Sequence, residues 1–352
     1  MDPLRFQPKP RPESLVCEEI PVCRAPEPEV SEPPRPCNGF EELCSRPLDR
    51  TVFATTHNSY AARREGFISF NANQWSGIEA QLRDGIRALM LDVHRDEGEL
   101  ALCHSFCYLG RTPHRQALRG IRAFLEENPR EVLALLYEDH VSPREIESDF
   151  LDVGLESYAY IHPPSGAWPT LGEMIEAGTR LLVLGERGAP PPAWYHSLWE
   201  LASDNPYGQH STADFGCRPN RGRRSNPLLL MNHWLNNALD LPSEEGAGRA
   251  NRLEMLYPRT MDCIQETRKV PNFIAVNYYE QGDLLGLVEL LNGVQYDPDF
   301  LHRALDSLTD MRRPQDFFLF GREVQPWSPF PTPESPADGE ILASPDSLAF
   351  RP

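Results

Sequence analysis

Short apolar runs that end at polar side chains recur between residues 52 and 140. Each run is three to five residues long, which is typical of a buried strand. The runs, with the polar residues that follow them, are 52–55 with His57 and Asn58, 88–91 with Asp92 and His94, 100–102 with His104, and 132–136 with Glu138. In a parallel barrel the carboxyl ends of the strands meet on one rim, where active sites lie. We therefore expect these polar side chains to converge.

Strand-like and helix-like segments alternate from residue 50 to residue 295. The predicted strands are 52–57, 88–93, 99–104, 132–138, 180–186, 228–234 and 273–279, and residues 317–320 are the only candidate for an eighth. The predicted helices are 74–84, 117–127, 145–151, 171–177, 194–202, 244–255 and 283–292. Such alternation predicts an α/β fold with a parallel sheet. Polar groups at successive strand ends favour a TIM-type (β/α) barrel, irregular or incomplete because the eighth strand is weak.

Proline-rich sequence flanks this alternating region on both sides. Residues 1–36 combine many prolines with glutamates and few apolar side chains, a composition that predicts disorder. We expect the barrel to span residues 37–310 and a proline-rich tail to occupy residues 311–352. No signal peptide is recognisable, because Met1 leads directly into polar sequence.

The charge balance of the 352 residues excludes several kinds of partner. The chain has 34 basic and 52 acidic residues and a net charge of −18. A nucleic-acid-binding surface needs clustered basic residues to neutralise phosphates, so we expect no nucleic acid partner. No apolar run reaches the roughly 20 residues that cross a bilayer, so we expect no transmembrane segment.

Eight cysteines, several of them closely spaced, indicate disulfides and an oxidising compartment. The predicted pairs are Cys37–Cys44, Cys103–Cys107, Cys17–Cys23 and Cys217–Cys263. Zinc binding is the alternative, but the chain contains no Cys-x-x-Cys motif. Reduced structural cysteines also stay open. We expect a secreted, periplasmic or cell-surface protein.

The predicted rim carries the groups that phosphate ester cleavage requires. His57 and His104 can act as a base and an acid, since histidine titrates near neutral pH. Oxygen ligands from Asn58, Asp92 and Glu138 suit a hard cation such as Ca²⁺, which would offset phosphoryl charge. A lone histidine at a strand end is more often structural, and a lone Asp92 could be an ordinary rim carboxylate. The combination favours the catalytic interpretation.

Several of these stretches also resemble the catalytic X region of phosphatidylinositol-specific phospholipases C. The similar motifs are His57-Asn58-Ser59-Tyr60, Gly85-Ile86-Arg87, Met90-Leu91-Asp92 and Leu102-Cys103-His104-Ser105. The resemblance extends from residue 37 to about 293 and is greatest to the secreted subgroup from plants, fungi and bacteria. It implies a TIM-type barrel and cleavage by intramolecular attack of an inositol hydroxyl.

The resemblance also implies roles for individual residues. It makes His57 the general base and His104 the general acid, and Arg187 a contact to phosphate or inositol. It makes Asn58, Asp92 and Glu138 three of the four ligands of a calcium ion.

Three positions depart from that pattern. The fourth calcium ligand, a glutamate in the calcium-dependent branch, falls at Met90. The calcium-independent branch has an arginine where this chain has His94, which we interpret as a further substrate-binding residue. Asn277 stands in place of an aspartate that supports the base in bacterial enzymes.

The sequence therefore predicts a phosphodiesterase that acts on a phospholipid headgroup or a soluble phosphodiester. The alternative is a secreted binding protein that keeps the barrel but has a weakened site, as Met90 and Asn277 suggest. A metal-dependent glycerophosphodiesterase on the same barrel would need a denser cluster of carboxylates.

Overall fold

The computed structural model describes residues 35–104 and 106–294. Its strands are β1 (Phe53–Thr56), β2 (Ala88–Asp96), β3 (Glu99–Leu102), β4 (Thr112–Pro113), β5 (Leu133–Asp139), β6 (Leu181–Gly185), β7 (Tyr195–Ser197), β8 (Ala202–Asp204), β9 (Leu228–Asn232) and β10 (Phe273–Val276). Its α-helices are α1 (Ile78–Asp84), α2 (His114–Glu127), α3 (Pro143–Val153), α4 (Leu171–Glu176), α5 (Leu198–Leu201), α6 (Glu244–Ala250), α7 (Leu253–Thr267) and α8 (Leu284–Asn292).

Eight of these strands form one parallel sheet in the order β7-β6-β5-β2-β1-β10-β9-β8. Its two end strands, β7 and β8, are joined by the single turn of α5. No hydrogen-bonded ladder connects these two strands within the described residues, so the curled sheet is a barrel open along one seam. The prediction of an α/β, TIM-type barrel that is incomplete is confirmed.

Alternation along the strands separates the barrel interior from the layer under the helices. On β5, Leu133 and Leu135 pack in the cluster that contains Leu118 of α2. Ala134 and Leu136 belong to a second cluster, which fills the barrel. Since side chains alternate with a period of two, later even-numbered positions on β5 also face inward. The same rule places the polar ends of neighbouring strands at the barrel mouth.

Three predicted elements are different in the structure. The single helix predicted over 244–255 is divided into α6 and α7, and α7 continues to Thr267. Residues 99–104 were expected to form a barrel strand, but β3 pairs antiparallel with β2 as a hairpin. Glu97 and Gly98, with φ values of 49° and 89°, form the tight turn, and this left-handed backbone is typical of two-residue hairpin loops. Residues 194–202 were expected to be helical, yet they form β7, α5 and β8. The eighth-strand candidate at 317–320 and most of both proline-rich segments lie outside the described residues.

Three disulfides confirm three predicted pairs, namely Cys37–Cys44, Cys103–Cys107 and Cys217–Cys263. The pair predicted for Cys17 and Cys23 lies outside the described residues. In the described part of the chain, no helix is long and apolar enough to cross a membrane.

Candidate active site

His57 follows β1 and lies beside Asn277, which follows the neighbouring strand β10. Their side chains are joined by a hydrogen bond of 2.9 Å between His57 Nδ1 and Asn277 Oδ1. Asn73 Nδ2 also donates to Asn277 Oδ1, at 3.0 Å. Asn73 Nδ2 also lies 3.3 Å from His57 Nδ1, but the contact of Nδ1 with Asn277 Oδ1 is shorter. Because an amide oxygen can only accept, the hydrogen of the neutral imidazole lies on Nδ1. The other ring nitrogen, Nε2, is then the basic one.

Trp234, at the end of β9, covers one face of the His57 ring. The two rings are stacked with centroids 3.8 Å apart and planes 9° apart. Burial is the main cause that lowers the pKa of His57 to about 3, and repulsion from His104 and Arg221 adds to it. The hydrogen bond to Asn277 opposes this shift. His57 is thus an oriented, neutral base.

His104 lies in the loop after the hairpin strand β3 rather than at the end of a barrel strand. Its Nδ1 lies 3.3 Å from Asn71 Oδ1, and the Cys103–Cys107 disulfide closes the loop around it. Burial lowers the pKa of His104, while the negative charge of Glu138 opposes the shift. The charge of His104 lowers the pKa of His57, so the two histidines interact electrostatically.

Asp92 and Glu138 are direct neighbours across the β2–β5 ladder. Asp92 is almost completely buried, and this burial, with the charge of Glu138, raises its pKa well above the usual range. Asn58 follows His57 after β1, and its φ of 46° lies in the left-handed region of backbone conformation. In the orientation that satisfies its hydrogen bonds, the Asn58 amide nitrogen donates to the two Asp92 oxygens at 2.9 and 3.2 Å.

A pocket at the barrel mouth brings together several of the predicted residues with others that we did not predict. It is lined by His57, Met90, Asp92, Leu136, Glu138, Glu186, Leu198, Tyr207, Arg221 and Trp234. The predicted site residues that are not part of this lining are Asn58, His94, His104 and Arg187. Glu186 follows the apolar strand β6, so the pattern of polar residues at strand ends that indicated Glu138 also applies to Glu186. No comparable signal marks Arg221, which lies in the long loop between β8 and β9.

His94 and Arg187 lie toward the outside of the same mouth. The His94 ring stacks on His140 with centroids 4.0 Å apart, and burial is the main cause that lowers the pKa of His94. Arg187 Nη2 is 3.9 Å from Glu138 Oε1, and its side chain is 60% exposed. Their predicted roles as substrate contacts stay predictions.

The residues predicted to bind calcium fit that ion poorly. The Asn58 amide turns its nitrogen toward Asp92, which leaves its oxygen directed elsewhere. Met90, a pocket residue, has a thioether where a hard cation requires oxygen. Within residues 35–104 and 106–294, no three His, Cys, Asp or Glu side chains are placed to hold one metal ion.

A comparison of the chain with known families finds one match that covers most of it. The model of the PI-PLC X family, PI-PLC X 1, matches residues 43–292. The chain belongs to this family. The match includes β1 through α8 and every residue that lines the pocket.

Two relatives are similar over most of the chain. A PI-PLC X domain-containing protein of Arabidopsis thaliana is 29% identical over 270 residues, which are 70% of this chain and 62% of the relative. A protein of Arthroderma benhamiae, named only as an uncharacterized secreted protein, is 27% identical over 292 residues. That alignment covers 75% of this chain and 65% of the relative. The chain thus spans less than two thirds of either relative.

A mutant of the phosphatidylinositol-specific phospholipase C of Staphylococcus aureus has a similar solved structure. The TM-score is 0.50 at 11% identity, and the alignment covers 72% of this chain and 94% of the other. At this identity, the similarity shows the fold alone.

Proposed function

We propose that this PI-PLC X family member is a phosphodiesterase that cleaves a phosphodiester with a hydroxyl group next to the phosphate. The supporting observation is the arrangement of His57, whose Nδ1 is fixed by Asn277 and whose Nε2 is the free basic nitrogen in the pocket at the barrel mouth. The three disulfides of the described region and the secreted relative support an extracellular location.

In the proposed reaction, His57 Nε2 removes the proton of the neighbouring hydroxyl, whose oxygen attacks phosphorus. The bond from phosphorus to the leaving oxygen breaks, and His104, which enters the reaction as an imidazolium, gives its proton to that oxygen and becomes neutral. The products are a cyclic phosphodiester and an alcohol, so all atoms and charges balance. A positioned base and a positioned acid each contribute roughly 10²–10⁴ in rate.

The test is a set of substrates followed by phosphorus NMR. Phosphatidylinositol in phosphatidylcholine vesicles and soluble glycerophosphoinositol separate a lipid substrate from a soluble one. We expect His57→Ala and His104→Ala to lower kcat by roughly 10²–10⁴ with little change in binding. The control is His210→Ala, an exposed histidine outside the pocket. Full turnover by both active-site variants would reject the acid–base assignment.

Calcium held by Asn58, Asp92 and Glu138 stays a prediction that calorimetry can test. Heat of Ca²⁺ binding to the wild type that disappears in Asp92→Asn would support it. No heat, together with turnover that resists EDTA, would remove calcium from the reaction.

A binding protein without turnover is the second candidate, and Asn277 and Met90 favour it. An amide orients the base histidine but does not neutralise the imidazolium that proton transfer creates. In this case the wild type would bind glycerophosphoinositol and leave it intact, and His57→Ala would change affinity rather than rate.

A further inference from the structure

Arg221 is held inside the pocket by two carboxylates and two aromatic rings. Its Nε and Nη2 donate to Asp204 Oδ2 at 3.0 and 2.7 Å, and Nη1 donates to Glu186 Oε2 at 2.8 Å. The centre of the guanidinium lies 4.1 Å from the Trp199 ring centroid and 4.7 Å from that of Tyr207. A guanidinium fixed from so many sides loses little entropy when it binds a ligand.

The aromatic contacts of Arg221 continue to the proposed base. The Tyr207 ring centroid is 6.0 Å from that of Trp234, which in turn stacks on His57 at 3.8 Å. Trp199, Arg221, Tyr207, Trp234 and His57 therefore form one array of ring contacts, in which the planes of Tyr207 and Trp234 are tilted by 35°. The array fixes the position of the guanidinium relative to the base.

The chemistry of Arg221 suits a phosphoryl group. A guanidinium has five N–H donors, and the contacts to Asp204 and Glu186 use three of them, so one hydrogen on each Nη stays available. Paired N–H groups in a planar fork match two phosphate oxygens. Among the ten residues that line the pocket, only Arg221 and His57 can carry positive charge.

We propose that Arg221 binds the phosphoryl oxygens of the substrate, with Asp204 as its anchor and Glu186 as the acceptor that the phosphate displaces. This inference rests on the proposed phosphodiesterase function and adds the residue that offsets the phosphoryl charge. The alternative is that Arg221 is a structural ion pair, which holds β8 beside β6 near the open seam of the barrel.

Hydrogen bonds between the backbone of the Arg221 loop and Asp204 allow a phosphate-binding role of Arg221 to be distinguished from a structural one. Asp204 N–H donates to Arg221 O at 3.1 Å, and Asn220 N–H donates to Asp204 O at 2.7 Å. The Arg221 N–H also donates to Asp204 Oδ1, at 2.7 Å. These bonds hold the loop without the guanidinium, so a variant that lacks only the guanidinium should keep the loop in place.

The experiment is a phosphorus NMR titration with diethyl phosphate in EDTA. This phosphodiester has no neighbouring hydroxyl, so the proposed reaction cannot cleave it. We expect Arg221→Gln to raise Kd by about tenfold or more, as loss of a charge-assisted hydrogen bond predicts, and Arg221→Lys to raise it less. The control is Arg223→Gln, which makes the same change of charge two residues away on the exposed part of the loop.

Glu186→Gln is a second variant that keeps Arg221 itself. Because it removes the competing carboxylate, we expect it to tighten binding of diethyl phosphate, and we expect this gain to disappear in Glu186→Gln/Arg221→Gln. Should Arg221→Gln not fold, the loss in Arg221→Lys and the gain in Glu186→Gln carry the test. Equal affinity in the wild type and Arg221→Lys, with no gain in Glu186→Gln, would overturn the inference.

The outcomes separate this inference from the proposed function. If Arg221→Gln cleaves glycerophosphoinositol with the kcat/KM of the wild type, the inference is wrong and the phosphodiesterase stands. If the wild type binds diethyl phosphate through Arg221 but cleaves no phosphodiester, the inference stands and the phosphodiesterase is wrong.

Discussion

The His57 and Asn277 side chains are joined at the ends of the adjacent strands β1 and β10 by a hydrogen bond of 2.9 Å. This bond sets the tautomer of the histidine, because Asn277 Oδ1 is an amide oxygen and can only accept. It supplies no negative charge, so the imidazolium that forms during proton transfer has only a neutral partner. The base is well oriented but weak, because burial lowers its pKa to about 3 and the neutral hydrogen bond to Asn277 opposes this shift only in part.

We expect Asn277→Asp to raise both the pKa of His57 and the rate. A carboxylate next to an imidazole raises its pKa by roughly 1–3 pH units, which brings a base with a pKa of about 3 closer to neutral pH. NMR titration of the His57 ring protons and kcat on glycerophosphoinositol measure the two effects. Asn277→Ala, which removes both the charge and the hydrogen bond, is the comparison. A higher pKa without a faster reaction would mean that His57 is not the base.

Periodicity explains which part of the site could be predicted from the sequence. Side chains in the apolar runs before Asp92 and Glu138 point alternately into and out of the barrel. The point at which each run ends therefore locates one pocket residue. The antiparallel path of β3 was not predicted, because residues 99–104 have the same apolar pattern in a hairpin as in a barrel strand. Arg221 was missed for another reason, since its position depends on contacts with Asp204, 17 residues earlier in the chain, and no local pattern encodes them.

The short disulfide should matter more for activity than the long one, and less for stability. Cys103 and Cys107 are 4 residues apart and enclose His104, whereas Cys217 and Cys263 are 46 residues apart. Loop-closure entropy gives about 2 kcal/mol for the short loop and about 4 kcal/mol for the long one.

We therefore expect Cys103→Ser/Cys107→Ser to lower kcat and to lower the free energy of unfolding by about 2 kcal/mol. Cys217→Ser/Cys263→Ser is the matched control and should lower the free energy of unfolding by about 4 kcal/mol while kcat stays unchanged. Denaturant unfolding and kcat on glycerophosphoinositol measure both. A short-loop variant with unchanged kcat would show that the disulfide does not position His104.

Acidification should destabilise the protein through His233. This side chain is fully buried, and its Nε2–H donates to Ala250 O at 2.8 Å. Burial and the nearby charge of Arg259 lower its pKa to about 3. Between pH 6.5 and 3 the unfolded chain therefore binds a proton that the folded chain does not, so stability falls as the pH falls.

At pH 5 this effect amounts to about 2 kcal/mol relative to pH 7 or above, since each pH unit below 6.5 contributes about 1.4 kcal/mol. Denaturant unfolding at pH 7 and pH 5 measures it. His233→Gln keeps a donor for Ala250 but does not titrate, so its stability should fall less over this range. An equal fall in the variant would assign the acid sensitivity to other groups.

Trp234 should stabilise the charged form of His57 through the face of its indole ring. The stack at 3.8 Å places the imidazole in the geometry of a cation–π contact once it is protonated. Such a contact contributes about 0.5–2 kcal/mol, and tryptophan gives more than phenylalanine. This contact would add to the hydrogen bond from His57 to Asn277, which favours the imidazolium but supplies no charge. We expect the pKa of His57 and kcat to fall together, in the order wild type, Trp234→Phe, Trp234→Leu, with a loss in rate of about threefold to thirtyfold for the leucine. If both variants lose rate equally and the pKa of His57 stays constant, Trp234 only packs against the ring.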